Sequence, residues 1–214
     1  MSKIILKVDD WNGITNYKQK FFHMLVMIFK IKVNWGIMGY AFSKFNTHQI
    51  NIMKKLLNTG LYSFFNHGYF HNIDEFKHLC KLDQIYHIKE TNKIVEQKLS
   101  IKLTAFGAPC NSLNEDSLDA LNECNDIDFW LFGNDNFKRI NIKRILDIEY
   151  PFFHPSYINF LKNYENHKHQ DILCLQIHPN NWSFLSFINF ILIILKLKTD
   201  KHNFIFINEL NNKI

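Results

Sequence analysis

Residues 3–10 read Lys-Ile-Ile-Leu-Lys-Val-Asp-Asp, a short apolar run that stops at two adjacent carboxylates. Two further runs have the same form. Residues 61–66, Leu-Tyr-Ser-Phe-Phe-Asn, lead into His67 and, four residues on, His71; residues 173–177, Leu-Cys-Leu-Gln-Ile, lead into His178. Short apolar runs bounded by breaks read as buried strands. In α/β folds, functional groups gather at the carboxyl ends of such strands. Two carboxylates and three imidazoles on one rim are the donor set of a hydrolytic metal site.

Working outward, strand-like and helix-like segments alternate along the chain. Strands are expected at 3–8, 32–37, 61–65, 102–106, 127–132, 145–148, 172–177 and 203–207, with helices at 17–29, 47–58, 73–82, 89–99, 115–124, 156–164 and 183–197. Strands separated by helices imply right-handed βαβ crossovers and a parallel sheet. Seven or eight such units in 214 residues predict one domain over 1–214, a distorted (β/α) barrel of seven to eight parallel strands. No linker, repeat or glycine-rich phosphate loop interrupts the pattern.

Composition narrows the function classes. The formal charge is only +5, and Arg139 and Arg144 are the chain's two arginines. Guanidinium groups are the usual readers of phosphates and bases, so nucleic acid is not an expected partner. Cys80, Cys110, Cys124 and Cys174 have no CxxC spacing, and Cys174 lies in an apolar run as a small buried hydrophobe. Cleavage of a signal peptide would remove the Asp9-Asp10 pair, so a cytoplasmic setting is expected. Residues 183–197 (SFLSFINFILIILKL) are strongly apolar but shorter than the roughly 20 residues of a membrane span. They read as a helix packed within the barrel, with peripheral membrane contact as the alternative.

Adjacent residues on a strand point to opposite faces. Asp9 and Asp10 therefore serve one site only if the second lies on the turn beyond the strand, where one carboxylate binds a cation and the other takes a proton. The alternative is an Asx turn capping the next segment. The i, i+4 spacing of His67 and His71 puts both rings on one side of a helical turn, where two neutral nitrogens can grip a zinc-type ion. Gly68 lets the chain turn tightly between them. His178 leaves a buried strand and is suited to general-acid work near neutrality, with His154 held in reserve. Residues 106–111, Phe-Gly-Ala-Pro-Cys-Asn, form a rim loop able to aim backbone N–H groups at an oxyanion.

Asp-Asp, then HxxxH, then a proline-containing rim loop, then LxxH: in this order the motifs resemble the NodB-type polysaccharide deacetylases, carbohydrate esterase family 4, and the match runs over essentially the whole chain. The 106–111 loop with Asn114-Glu115-Asp116 also looks like a divergent branch linked to bacterial surface-polysaccharide synthesis. The resemblance implies a distorted (β/α) barrel with Asp10, His67 and His71 as metal ligands. It further implies Asp9 as catalytic base, His178 as general acid, and the Cys110 amide after Pro109 at the oxyanion. Trp130 matches the aromatic of the fourth motif, and Trp182 is expected to wall the sugar pocket. The implied cofactor is a divalent ion, zinc first, with cobalt, nickel or manganese as others. The implied substrate is an N-acyl amino sugar, and with the expected cytoplasmic setting it is a nucleotide-linked, lipid-linked or small glycan precursor. A saccharide-binding barrel without turnover and an amidase or esterase on a non-sugar substrate are the alternatives. The chain departs from the pattern at Trp11, where the family usually has Gly (Gly13 comes later). It also lacks the third-motif Arg that orients the base: Gly107 occupies that region, and Arg139 or Arg144 is left to act from another loop.

Overall fold

The structure, a computed structural model, describes residues 1–11, 16–72, 75–149 and 153–213. Gly13 and the first two residues of the helix expected at 73–82 lie outside them. Eight strands form in the described residues: β1 (Lys3–Trp11), β2 (Val33–Ile37), β3 (Tyr62–Asn66), β4 (Ala105–Phe106), β5 (Phe129–Leu131), β6 (Ile140–Ile142), β7 (Ile172–Ile177) and β8 (Asn203–Phe204). They pair in parallel in the order β6-β5-β4-β3-β2-β1-β7. β8 joins β1 at Lys3 and Ile4, before β2 joins it at Lys7. The helices are α1 (Tyr17–Phe29), α2 (Gly39–Ser43), α3 (Thr47–Asn58), α4 (Glu75–His78), α5 (Lys81–Leu99), α6 (Asp116–Glu123), α7 (Tyr157–His167) and α8 (Phe184–Thr199). The sheet is curled, with β6 and β7 as its ends, and helices surround it. This is the expected distorted barrel.

Local chemistry explains the element ends. Asn16, Asn46 and Ser183 each close a capping box at the start of α1, α3 and α8, satisfying amide groups that no helical carbonyl reaches. The central strands are buried along their length, as parallel strands covered by helices must be. Their apolar side chains make one large cluster between sheet and helices, with Trp35, Phe22, Trp182 and Phe190 among its members.

Several expectations change. One helix, α5 (Lys81–Leu99), runs through the gap expected between helices at 73–82 and 89–99, α4 keeps only Glu75–His78 of the former, and α2 (Gly39–Ser43) was not expected. The sixth strand is Ile140–Ile142, not 145–148. Leu146 and Ile148 are buried, but their backbone joins no parallel ladder; a single antiparallel bridge from Glu149 to Pro155 is formed there. An apolar run signals burial, and burial alone does not choose between ladder and loop. Further, the second carboxylate, Asp10, does not lie on a turn beyond β1. The strand runs through it to Trp11, with a register shift between Val8 and Trp11 and Asp10 in the left-handed region at φ 63°. A bulge of this kind re-aims a side chain at the end of a strand, and it lets neighbouring carboxylates share one rim.

α8 packs beside α1 through an edge-on contact of Phe21 with Phe187, ring centroids 4.9 Å apart. Its inner face, including Phe190, Ile193 and Ile194, is buried. Its outer face is not. No helix among the described residues is long and apolar enough to cross a membrane.

Candidate active site

β1 carries a lysine on the same strand face as Asp9, two residues earlier. Lys7 is fully buried, and its ammonium donates to both Asp9 oxygens, at 2.6 Å and 2.5 Å. The register pairs Lys7 with Gln176 on β7, and Gln176 Nε2 donates to Asp9 Oδ2 at 2.5 Å. Burial pushes the Asp9 carboxyl up, but Lys7 first and then His67 and His178 outweigh it, holding the group far below the usual carboxylate range. Lys7 is thus the cation that sequence reading did not find. The expectation that Arg139 or Arg144 takes this part is corrected: Arg139 donates to the Leu121 carbonyl and Arg144 to Asp147. Gly107 makes the arrangement possible, since a Cβ there would lie 3.0 Å from Lys7 Cε and 3.1 Å from Phe65 Cε2.

Asp10 faces the two histidines. His71 Nε2 stands 2.6 Å and His67 Nε2 3.5 Å from Asp10 Oδ1, an oxygen that is buried and accepts no well-directed hydrogen bond. One ligand atom from each of the three residues fits within a span of 4.8 Å. His67 Nδ1 lies 2.7 Å from the Gly107 carbonyl oxygen. A carbonyl can only accept, so Nδ1 carries a proton and Nε2 is the ring nitrogen left to offer a lone pair to a cation. Hard and borderline donors of this type suit a divalent ion. Burial lowers the affinity of His71 for its proton, while the Asp10 carboxylate in close contact with it raises it, with a net upward shift.

The HxxxH pair does not lie on a helical turn. Residues 67–71 are an irregular loop with Gly68 at φ 77° and His71 at φ 59°, and the two rings meet with centroids 5.0 Å apart. Glu75, at the start of α4, holds this loop: its carboxylate accepts from the Tyr69 and His71 amides at 2.6 Å and 2.7 Å and pairs with His87 at 2.9 Å. A Cβ on Gly68 would come within 2.7 Å of Pro109 and 2.8 Å of Glu75 Oε2. Gly68→Ala is therefore expected to lower the urea unfolding free energy by about 2 kcal/mol, from left-handed strain together with overpacking, and to lower metal content in parallel. An unchanged midpoint and metal content would count against this reading of the loop.

His178 follows β7. Its Nε2 is 3.5 Å from Asp9 Oδ2, and its Nδ1 is 2.6 Å from Glu149 Oε2. Burial lowers its affinity for a proton, but hydrogen bonds to Asp9 and Glu149 more than offset this, and the pKa is pushed up to about 9. Glu149 also accepts from the His178 amide and from the Trp182 indole. Sequence reading missed Glu149, although it follows the apolar run 145–148 as Asp9 and His178 follow theirs.

These groups open on a cavity of about 770 Å³ whose walls include Asp10, His67, His71, Cys110, Glu149 and His178. That volume suits a small-molecule site. Cys110 lies in the wall with φ 55° on a 3₁₀ turn; Pro109 is buried beneath it. The two tryptophans are elsewhere. Trp130 is buried against Phe137. Trp182 is fully buried between Phe22, Phe187 and Phe190. The expectation that Trp182 walls the pocket is corrected, because its ring faces the core and only its N–H serves the site, through Glu149. His154 bonds Ser186 at 3.0 Å and does not line the cavity.

In sequence, no protein-family model and no curated protein matches the chain. In structure, it is similar to a family 4 acetyl xylan esterase from Clostridium thermocellum in complex with cobalt (TM-score 0.69, 16% identity, 97% of this chain and 90% of that one). It is also similar to a peptidoglycan N-acetylglucosamine deacetylase solved with a hydroxamate-type benzamide (0.71, 17%, 97% and 86%). A third is a family 4 pseudoenzyme from Bacillus anthracis (0.64, 16%, 94% and 62%). What this chain has in common with all three is the fold, the distorted β/α barrel of carbohydrate esterase family 4.

Proposed function

We propose that the protein is a metal-dependent hydrolase that removes an N-acyl group, foremost N-acetyl, from an amino sugar. The observation that carries the reading is one cavity wall where three convergent donors, Asp10, His67 and His71, adjoin a carboxylate held by Lys7 and an imidazole held by Glu149. Asp10, His67 and His71 would hold the ion, with zinc first and cobalt, nickel or manganese as others. When bound it would supply Lewis acidity, polarising the acyl carbonyl and lowering the pKa of the attacking water. Asp9 takes that water's proton. The Cys110 N–H, on its left-handed rim turn, would donate to the developing oxyanion. His178, protonated at neutral pH, delivers its proton to the leaving amine. A small glycan, or a nucleotide- or lipid-linked sugar of a surface-polysaccharide precursor, suits a cavity of this size.

The test is metal content and acyl release over a panel of N-acetylated sugars. Bound metal near one equivalent is expected, lost in Asp10→Ala and in His67→Ala, with activity lost to chelator and restored by zinc or cobalt. Asp9→Asn is expected to keep the metal and lose about 10³-fold in kcat. Full activity in Asp9→Asn, or a protein that binds no metal, would overturn the assignment.

Saccharide binding without turnover is a second reading, favoured by one observation: Lys7 engages both oxygens of Asp9. Sugar binding in calorimetry with no acyl release from any of the panel would decide for it. Acyl release from non-sugar amides or esters alone would decide for the wider amidase class.

A further inference from the structure

The outer faces of α1 and α8 have no role in the barrel core or in the cavity. On α8, Phe184, Leu185, Ile188, Leu192 and Leu195 are each 39–76% exposed and recur at helical spacing along one side. On the neighbouring α1, Tyr17, Met24 and Ile28 are exposed at similar spacing. Of the sixteen large apolar side chains exposed among the described residues, four are on α1 and five on α8, so more than half lie on two helices packed against each other. Single exposed hydrophobes are ordinary; a concentrated patch marks an interaction surface.

Charge selects the occupant. Neither helix contains an aspartate or glutamate. On α1 Lys20 is exposed and the half-buried Lys18 donates to the Asn180 carbonyl, and Lys30, Lys198 and Lys201 gather around one shallow cavity of about 470 Å³ where both helices end. The first acid past α8, Asp200, is paired with Lys196 and Tyr164. An apolar face whose own two helices carry cations and no acids complements a surface that is apolar inside and anionic outside. A second copy of this face would offer it no carboxylate. The geometry points to an anionic lipid surface: the protein docks by the α1–α8 face, with the α8 stripe in the headgroup and upper acyl region and the lysines among the phosphates. Asn181, in the cavity wall, precedes Phe184 by three residues, about 10 Å of chain at most, so docking keeps the cavity mouth close to the lipid. This inference is independent of the catalytic reading and holds for a binding barrel equally.

The full chain should be sedimented with phosphatidylcholine vesicles with and without phosphatidylglycerol. Binding is expected only to the anionic vesicles and is expected to weaken with salt. Lys198→Glu/Lys201→Glu should reduce it by at least about twentyfold, since each lysine near such a surface is worth roughly fivefold and reversal adds repulsion. Ile188→Gln/Leu192→Gln, which alters exposed positions only, should reduce it as well, with circular dichroism unchanged. No binding to anionic vesicles overturns the proposal, as does binding indifferent to both double variants. A dimer in light scattering that these substitutions dissolve would assign the face to a second copy, and would overturn it too.

Discussion

Lys7→Met is expected to abolish turnover while leaving the metal in place. The ammonium is the chief cation on a carboxylate that is only 2% exposed. Without it, only His67 and His178 oppose desolvation, and the Asp9 carboxyl is pushed up toward its protonated form. A protonated Asp9 accepts nothing from water, so kcat should fall at least about 10²-fold. Metal content should stay near wild type, because Lys7 touches Asp9 and not Asp10. Stability should fall too, by about 3–5 kcal/mol if Asp9 stays charged and by less if it neutralises. A second variant separates chemistry from folding. In Lys7→Thr/Gly107→Arg, the space emptied at position 7 receives a side chain from position 107, whose Cβ would lie 3.0 Å from the present Lys7 Cε. The guanidinium then reaches Asp9 from β4's loop instead of from β1. Recovery of turnover above the Lys7→Thr level is expected. Wild-type kcat in Lys7→Met would show that the cation does not support the base.

Glu149→Gln is expected to move the basic limb of the pH profile downward. The general acid must be protonated, and with its pKa pushed up to about 9 His178 keeps its proton through neutrality. Activity should therefore fall as pH rises through about 9. Removing one of the two carboxylates that raise it should bring the limb down by about 1–2 units, with little change in KM. Stability carries the same signature. The folded pKa of His178 lies above the ordinary 6.5, so its contribution is fully present below pH 6.5 and is lost as pH rises through about 9. The size is about 3 kcal/mol from the shift itself. Urea midpoints between pH 6 and pH 10 read it directly, and Glu149→Gln should flatten the decline. A limb that stays in place in Glu149→Gln would remove Glu149 from its positioning part.

Much of the barrel is visible in local pattern. The bounds expected for α1 and α3 agree with the structure, because each opens on an Asn cap and carries a clear apolar stripe. β7 agrees as well, a six-residue apolar run that needs no partner to be recognised. The residues nominated for the ion and the acid line one cavity, and Asp9 is buried behind them, 3.9 Å from His67 and 3.5 Å from His178. Elements defined by pairing were less legible. β4 is two residues long and β6 three, and the apolar run 145–148 competes with β6 for the same place in the sequence.

The supports of the site were hidden for a related reason. Lys7 reads as a stray polar residue in an apolar strand, Glu149 as an acid in a loop, and Glu75 as a helix-start acid with a capping role. Asp9, Asp10, His67, His71 and His178 could be nominated from sequence because each ends an apolar run or follows at a telling spacing, and residue type carries its own chemistry. Which cation holds Asp9 could not. A buried charge takes the partner that strand register, a bulge at Asp10 and the missing side chain of Gly107 bring within hydrogen-bond distance, and those depend on segments about a hundred and more residues apart. The same division holds for α8. Its apolar sequence announced a helix, and only its packing against α1 revealed which half of that apolar surface the core leaves uncovered.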